Sequence, residues 1–357
     1  MDSRKTPPTG PFSRIALWQT AFLGDAVLTL PLAATLKRAW PSAEMTFFVR
    51  KGLGGLFSAQ PEFSRVVEID KRGADKGIAG AIRLGRMLRG QGFDLMVSAH
   101  TSLRSALVAL SSGIATRVGY DAPLFNRLAY TRAVPRRFEE LDEIERLLGL
   151  AEALGLHDHA AWPGLVLPDA ALREAEALLH GLSGPLIGLH PGSVWPTKRW
   201  PAPHFARLAD LCLTAGFTVL LFAGPGEEDT ARAVRAAMRG KDSAGLTDFS
   251  GRLSLPVLAA VLGRLDAYAT NDSGPMHLAW AQKTPVAAFF GPTVRSLGFF
   301  PRGRSRVLET PLPCRPCGLH GHKTCPEGHH RCMTDVTPEE AFAVVRDLVE
   351  QGREDAR

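Results

Sequence analysis

Short β-branched and aromatic segments alternate with amphipathic segments of helix length along nearly the whole chain. This alternation is typical of strand–helix units built around parallel β-sheets. The chain has 357 residues, of which 45% are hydrophobic, and this is enough apolar material for two ordinary cores. We therefore predict an α/β protein with two Rossmann-like domains. The apolar runs fall far short of the roughly 20 residues that a membrane-spanning helix needs.

The first half of the chain contains predicted strands and helices in alternation. A glycine, a proline or a polar residue follows each of them and marks its end. A long amphipathic helix is predicted over Phe138–Leu154. The other predicted elements are the strands Arg14–Gln19, Glu44–Val49, Val66–Ile69 and Phe93–Ala99, and the helices Ala26–Trp40, Ile78–Arg89 and Ser102–Ser111.

The loop His157–Pro168 contains two histidines, a tryptophan and two prolines, and it predicts the domain boundary. Beyond it the strand–helix pattern starts again. Two such halves facing each other would form a central cleft, the usual place for a ligand. The elements predicted there are the strands Pro185–Leu189, Phe217–Ala223, Ala267–Thr270 and Val286–Phe290, and the helices Pro203–Ala215, Pro275–Gln282 and one after Gly226.

The net charge of +6 is concentrated in the first half. Residues 1–160 contain 21 Lys/Arg against 16 Asp/Glu, whereas residues 161–357 contain 21 against 20. Excess positive charge favours an anionic partner such as a phosphorylated lipid, an acidic glycan or a nucleic acid. Because no basic run or nucleic-acid-binding motif accompanies it, we do not expect nucleic acid. The polar N-terminal stretch lacks the apolar segment of a secretory signal, which predicts a cytoplasmic protein.

Gly24 and Asp25 directly follow the first predicted strand and precede a helix. The carboxyl ends of strands are where open α/β sheets bind ligands, and the glycine permits a tight turn. A carboxylate at that edge can act as a general base towards an attacking hydroxyl. The alternative is structural, since an aspartate ahead of an apolar helix commonly caps its free N–H groups.

A loop with small and basic residues follows the first predicted strand of the second half. Gly192 and Ser193 let backbone N–H groups approach a phosphate, which Lys198 and Arg199 can neutralise. A solvated basic loop is the alternative. The two tryptophans of the loop favour function, because exposed aromatic rings are costly unless they pack or stack.

A glycine-rich turn after Phe217–Ala223 leads to Glu227. Its carboxylate suits the hydroxyl groups of an adenosine ribose. Acidic residues at a helix start also simply complement the helix dipole, so both interpretations stay open.

The most informative cluster follows the strand Ala267–Thr270. The free N–H groups and the positive dipole end of the following helix form an anion site. Aspartate there can accept from sugar hydroxyls, and serine can donate to a phosphate. Helix capping and a buried histidine explain single members of the cluster but not all of them. The candidate residues are Asn271, Asp272, Ser273, Gly274 and His277.

Four of the five cysteines lie close together near the C-terminus, interleaved with four histidines. Thiolates and imidazoles are zinc ligands, which makes a structural zinc site one alternative. The spacing is not that of a zinc ribbon, so free and packed cysteines are the other alternative. The candidate ligands are Cys314, Cys317, Cys325 and Cys332.

Together these motifs resemble the ADP-heptose:lipopolysaccharide heptosyltransferases, glycosyltransferase family 9. The similarity extends over nearly the whole chain, from Gly24-Asp25 through Pro191-Gly192 to Asn271–His277 and Gly291-Pro292. The combination of the sequence Lys-Arg-Trp-Pro at residues 198–201 with Asn-Asp-Ser-Gly at residues 271–274 is most similar to the heptosyltransferase II branch of the family.

The resemblance implies a GT-B fold. Residues 1–165 would then bind the lipid acceptor, residues 166–335 would bind the nucleotide sugar, and residues 336–357 would form a helix returning towards the first domain. No cofactor is then required. The acceptor would be heptosyl-Kdo2-lipid A, with peripheral contact at the inner face of the inner membrane. We place Arg104, Arg136 and Arg137 on the acceptor surface, from charge and domain location.

The resemblance also implies roles for the site residues. Asp25 would deprotonate an acceptor hydroxyl, which attacks the anomeric carbon of ADP-heptose with inversion. Lys198 would pair with the diphosphate and the helix start at Ser273-Gly274 would stabilise the leaving group. Asp272 would hold the heptose and Glu227 would reach the ribose.

Other functions fit parts of the same pattern. A GT-B glycosyltransferase with another nucleotide-sugar donor needs the same kinds of residues, and a donor panel would separate the two. A non-catalytic protein that binds glycan or lipid A would retain the fold, and Asp25 would then be only a cap. A nucleotide-sugar epimerase would need no acceptor.

Overall fold

The computed structural model describes residues 10–160 and 162–355. The chain divides into two compact units, Met1–Pro168 and Asp169–Arg357. No helix among the described residues combines the length and the apolar character that crossing a bilayer requires.

The first unit alternates strands and helices. Its strands are β1 (Arg14–Gln19), β2 (Glu44–Arg50), β3 (Arg65–Ile69), β4 (Leu95–Ser98), β5 (Thr116–Tyr120) and β6 (Arg132–Val134). Its helices are α1 (Leu23–Leu28), α2 (Leu30–Ala39), α3 (Gly77–Arg89), α4 (Leu103–Ser112), α5 (Asn126–Ala129) and α6 (Glu143–Glu152).

The second unit follows the same scheme. Its strands are β7 (Leu186–His190), β8 (Thr218–Leu221), β9 (Leu246–Asp248), β10 (Ala267–Asn271), β11 (Val286–Phe289) and β12 (Ser305–Leu308). Its helices are α7 (Asp169–Leu179), α8 (Ala202–Thr214), α9 (Glu228–Ala237), α10 (Leu255–Leu262), α11 (Gly274–Ala281), α12 (Arg331–Thr334) and α13 (Pro338–Asp355).

Each unit contains a six-stranded parallel sheet among its described residues. The order is β3-β2-β1-β4-β5-β6 in the first and β12-β11-β10-β7-β8-β9 in the second. Both orders are the doubly wound Rossmann arrangement, in which ligands bind at the carboxyl ends of the strands where the order reverses. That position lies beyond β1 and β4 in the first unit, and beyond β7 and β10 in the second.

Both sheets are covered by apolar helix faces, as parallel sheets require. In the first unit, Trp18 and Phe48 of the sheet pack with Leu84 of α3 and Val108 of α4 in one core. In the second unit the helix α13 packs on α8 and on the strands β10 to β12. Its predicted return towards the first unit stays a prediction.

Two predicted helices differ from the structure. The segment predicted as Ala26–Trp40 begins earlier and breaks at Thr29, because Pro31 at the start of α2 has no N–H to continue the α1 ladder. The helix predicted over Phe138–Leu154 is shorter. Asp142 caps it by accepting from the N–H of Glu145, and this fixes its start.

Candidate active site

Asp25 lies in the first turn of α1, at the carboxyl edge of the first sheet. It is therefore inside the helix rather than its N-cap residue, which is Phe22. The Asp25 Oδ2 atom nevertheless accepts a hydrogen bond from the Phe22 N–H, at 3.1 Å. The carboxylate thus supplies half of a capping box and remains at the edge where ligands bind.

The environment of Asp25 favours the protonated acid. Burial raises the pKa of Asp25 to about 6, and the negative charge of Glu143 acts in the same direction. The Phe22 N–H and the Arg136 guanidinium oppose this shift. A carboxyl group with a pKa near the working pH is suited to general base catalysis, because it can take up a proton and release it again.

His100 lies at the same edge, after β4. Its Nδ1 atom is 3.1 Å from both Thr20 Oγ1 and Ser105 Oγ, and the Ser105 hydroxyl accepts from the Trp18 indole. Burial and the charges of Lys71, Arg136 and Arg104 lower the pKa of His100 to about 4. The imidazole is therefore neutral at pH 7 and adds no charge beside Asp25.

Three cations line this edge without carboxylate ion-pair partners among the described residues. Arg50 ends β2, Lys71 follows β3, and Arg104 lies in the first turn of α4. Burial, together with the charges of Arg50 and Arg104, lowers the pKa of Lys71 to about 8. Crowded like charges that remain unpaired indicate a place for an anion.

The other two predicted acceptor arginines are paired. Arg136 donates two hydrogen bonds to Glu143, both at 2.9 Å, and Glu143 is fully buried. Arg137 is exposed and pairs with Glu140. Neither guanidinium is as available to a ligand as that of Arg104, which donates to the backbone carbonyl of Asp75 and has no carboxylate partner among the described residues.

Lys198 and Asp272 form a largely buried ion pair at the carboxyl edge of the second sheet, which we call the second edge. Lys198 Nζ lies 2.5 Å from Asp272 Oδ2, and the Thr293 hydroxyl donates to the same oxygen at 2.6 Å. An ammonium group has three N–H donors, so Lys198 can bind a phosphate without releasing Asp272. The structure thus brings together Lys198 and Asp272, which are 74 residues apart in the sequence.

Asn271 and Arg199 hold the loop that carries this pair. The Asn271 amide accepts from the Trp200 N–H and donates to the carbonyls of Pro191 and Gly192. Arg199 donates to the Ser193 carbonyl at 2.8 Å. These bonds position the loop, and the predicted contacts of Asn271, Ser193 and Arg199 with substrate stay predictions.

The two tryptophans of the loop pack inside the unit. Trp200 stacks on Phe289 with ring centroids 4.1 Å apart and donates to the Val336 carbonyl. Trp195 stacks on His320. Their presence is explained by packing, so it does not support ligand binding by itself.

Glu227 is held next to the loop that follows β7. Burial would raise the pKa of Glu227, but the His190 imidazole at 3.1 Å and the Gly224 N–H lower it below its ordinary value. A Cβ atom at Gly192 would overlap the Glu227 carboxylate, so any larger residue there would displace that carboxylate from its present position. The predicted contact of Glu227 with a ribose stays a prediction.

The start of α11 contains polar atoms without partners. Ser273 Oγ and His277 Nδ1 are buried and make no hydrogen bond within the part of the chain that the structure describes. Burial lowers the pKa of His277 to about 4, so its ring is neutral at pH 7. A bound anion at this helix N-terminus would give such unpaired buried polar atoms a partner, which supports the predicted anion site.

The cysteine-rich segment, residues 314–332, does not form a metal-binding group in the structure. Within residues 10–160 and 162–355, no three His, Cys, Asp or Glu side chains are arranged to hold a metal ion. Cys314 Sγ lies 4.0 Å from His329 Nε2, and burial raises the pKa of Cys332 to about 11. The zinc site at Cys314, Cys317, Cys325 and Cys332 stays a prediction.

The same segment supports the second edge. Thr197 exchanges hydrogen bonds with the backbone of His322 and accepts one from His330 Nε2 at 2.8 Å. The Arg315 guanidinium donates to the carbonyls of Gly291 and Thr293. The segment therefore fixes the residues on both sides of the Lys198–Asp272 pair.

Several residues of the two edges were not predicted from the sequence. His100 and Lys71 follow predicted strands, so the position that pointed to Asp25 would also have found them. Thr293 follows Gly291-Pro292 by one residue, and nothing in the sequence connects it with Asp272. Tyr268, whose hydroxyl lies 2.8 Å from His190 Nδ1, is inside a strand and gives no signal.

Comparison with known proteins gives consistent results. The family model "Glycosyltransferase family 9 (heptosyltransferase)" matches residues 81–324. The lipopolysaccharide heptosyltransferase 2 of Escherichia coli is 27% identical over 346 residues, which cover 93% of this chain and 97% of that protein. The lipopolysaccharide heptosyltransferase 1 of Pseudomonas aeruginosa is 30% identical over 351 residues, covering 93% and 94%. The crystal structure of a family 9 glycosyl transferase from Veillonella parvula has a TM-score of 0.83 at 24% identity, covering 95% of this chain and 98% of that one. This similarity confirms the predicted fold class.

Proposed function

This chain belongs to glycosyltransferase family 9, and we propose that it is an inverting enzyme that transfers L-glycero-D-manno-heptose from ADP-heptose to the inner core of lipopolysaccharide. The roles proposed for single residues rest on the difference between the carboxyl edges of the two sheets. One holds a carboxyl group with a pKa of about 6, and the other holds a buried ammonium group beside a helix N-terminus.

Asp25 is the general base of the proposed reaction. The hydroxyl oxygen of the acceptor attacks the anomeric carbon and gives its proton to the Asp25 carboxylate. The bond between the anomeric carbon and the diphosphate oxygen breaks, and ADP leaves with the bonding electron pair. The Phe22 N–H bond to Oδ2 fixes the direction of the carboxylate, which is what a base in a single displacement needs.

Lys198 and the start of α11 stabilise the leaving group. Negative charge accumulates on the diphosphate as the sugar bond breaks, and donors already aimed at that charge lower the barrier. Lys198 is held in place by Asp272, while Ser273 Oγ has an unused donor. These groups supply the charge stabilisation from the chain itself, so we propose that no cofactor takes part.

The first unit binds the acceptor in this proposal, and the second binds the nucleotide sugar. Arg50, Lys71 and Arg104 suit the phosphates and carboxylates of a Kdo2-lipid A type acceptor, since they lack carboxylate partners among the described residues. An acceptor anchored in lipid also requires the enzyme to work at the inner face of the inner membrane, as a peripheral protein.

The test is ADP release from ADP-heptose, measured with and without heptosyl-Kdo2-lipid A. We expect release that depends on the acceptor. Release with a different nucleotide sugar in a donor panel would assign another donor. Acceptor binding without any release would favour a non-catalytic binding protein, and sugar conversion without acceptor would favour an epimerase.

A further inference from the structure

The helices α3, α4 and α5 cover one face of the first sheet. They share a core with the sheet, and α4 packs between α3 and α5. Each of them follows a parallel strand, so each begins at the carboxyl edge, the edge of Asp25. The amino-terminal ends of these three helices therefore form one continuous border of the site.

This border exposes large apolar side chains. Leu124 and Leu128 are 75% and 79% exposed, and they flank the buried Asn126 of α5. Ile78 at the start of α3 is 61% exposed and Leu103 at the start of α4 is 50% exposed. We call these four residues and the half-exposed Phe125 the apolar rim. Clustered apolar exposure of this kind marks an interaction surface.

Basic residues that lack carboxylate ion-pair partners among the described residues lie beside the apolar rim. The exposed Arg72 and Lys76 precede α3, and Arg104 lies in the first turn of α4. The acids Asp75 and Asp121 of the adjoining loops are neutralised by ion pairs with Arg83 and Arg127. An apolar surface bordered by basic residues matches an anionic lipid surface, where leucines enter the headgroup region and arginines contact phosphates.

We propose that the apolar rim docks the protein on an anionic phospholipid surface. The inference rests on the proposed function for the need to reach a lipid-anchored acceptor. Leu103 and Arg104 are neighbours in the chain, and Arg104 is also one of the cations at the edge of Asp25. Docking through the rim therefore brings that edge to the level of the lipid headgroups, where the sugars of a membrane-anchored acceptor lie.

The binding experiment uses co-sedimentation with vesicles. Wild type, Leu124→Ser/Leu128→Ser and the control Leu172→Ser are mixed with vesicles of phosphatidylglycerol and phosphatidylethanolamine, or of phosphatidylcholine alone. Leu172 is an exposed leucine of α7 in the second unit. We expect wild type and control to bind the anionic vesicles, and the double variant to bind at least about tenfold more weakly, since two leucines lose their apolar contact. Arg72→Gln/Lys76→Gln should weaken binding to anionic vesicles only.

The activity experiment separates this proposal from the proposed function. The double leucine variant should retain wild-type kcat and KM with a soluble acceptor that contains the sugars without the acyl chains. Its kcat/KM should fall about tenfold with the acceptor embedded in anionic vesicles. Wild type that is inactive with both acceptors would overturn the proposed function and leave vesicle binding to be judged by itself.

Three results would overturn the docking proposal. The first is equal binding of wild type and the double leucine variant to anionic vesicles. The second is equal binding of wild type to anionic and neutral vesicles. The third is a wild-type dimer in sedimentation velocity that Leu124→Ser/Leu128→Ser converts to a monomer, which would assign the rim to a second copy of the chain.

Discussion

The two units share one strand order but differ in how their carboxyl edges are built. In the first unit, Asp25 is weakly paired and its pKa is raised to about 6, and the nearby Arg50 and Lys71 have no carboxylate partner among the described residues. In the second unit, Lys198, Asp272 and Thr293 are joined in a buried hydrogen-bonded group. One edge keeps unpaired charges, whereas the charges of Lys198 and Asp272 at the other edge neutralise each other.

Under the proposed function, this difference lets one topology serve two tasks. Proton transfer needs a group whose pKa lies near the working pH, and burial together with the charge of Glu143 produces it at Asp25. Binding a diphosphate needs donors that are fixed before the ligand arrives, and a rigid network provides them. The fold places both sets of loops at strand ends, and the loop residues decide the chemistry. Four predictions test the contrast.

The largest effect is expected from Asp25→Asn. The amide keeps the shape of the side chain but cannot take a proton, so kcat should fall about 100- to 10,000-fold. The affinity for ADP, measured by calorimetry, should stay unchanged, because the substitution lies in the other unit. Glu139→Gln, at an exposed acid of the same unit, is the control. Retention of wild-type kcat by Asp25→Asn would assign the base elsewhere.

A smaller effect is expected when the second edge loses its ion pair. In Lys198→Met the diphosphate loses a cation and Asp272 loses its charged partner, so the Kd for ADP-heptose should rise about 10- to 100-fold. The acid limb of the pH profile, which belongs to Asp25, should stay in place. Lys241→Met, at an exposed lysine of the second unit, is the control. A Kd within twofold of wild type would contradict the assignment of Lys198.

The pH dependence of stability and of activity tests the raised pKa of Asp25. Its pKa is about 6 in the folded protein against 3.8 as the reference value, so the folded state holds the proton more tightly. The ionised carboxylate therefore destabilises the fold, by up to about 3 kcal/mol above pH 7. Asp25→Asn should equal wild type in unfolding free energy below pH 3.8 and exceed it increasingly between pH 4 and pH 7. The kcat/KM of wild type should fall about tenfold per pH unit below about pH 6.

Chemical denaturation at several pH values measures the unfolding free energy, and steady-state kinetics measures kcat/KM. If the unfolding free energies of wild type and Asp25→Asn differ by the same amount at pH 3.5 and pH 8, the pKa of Asp25 is not raised. The carboxyl edge of the first sheet would then not differ from that of the second by a carboxyl group with a raised pKa.

The smallest effect is expected from weakening the contact between Thr197 and the cysteine-rich segment. Thr197→Val removes the hydroxyl that His322 contacts but keeps the side-chain shape, so the loop carrying Lys198 should loosen. The KM for ADP-heptose should rise about three- to tenfold with kcat unchanged. Thr197→Ser should restore it, and Thr214→Val should have no effect. A loss of kcat instead of KM would mean that the loop serves the chemical step directly.

The parts of the fold that the sequence predicted are those with strong apolar periodicity. The strand β1 and the start of β2 agree with their predicted ranges, and α11 agrees to within one residue. The strands β6 and β9 were missed because they are three residues long and only partly buried, so no apolar run marks them. The helix α10 was missed because it is apolar on nearly every face and shows no helical period.

The sequence by itself determined the α/β class, the place of Asp25 after a strand, and the polar cluster at the helix start of residues 271–277, since these depend on local order along the chain. Only the tertiary structure decided which residues interact and how their pKa values change. The raised pKa of Asp25 comes from burial and from Glu143, which is over one hundred residues away. The partner of Asp272 is Lys198, and its second donor is Thr293. Such pairings arise because the strand order of the sheet brings distant loops to one edge. The spacing of residues along the chain does not reveal that order.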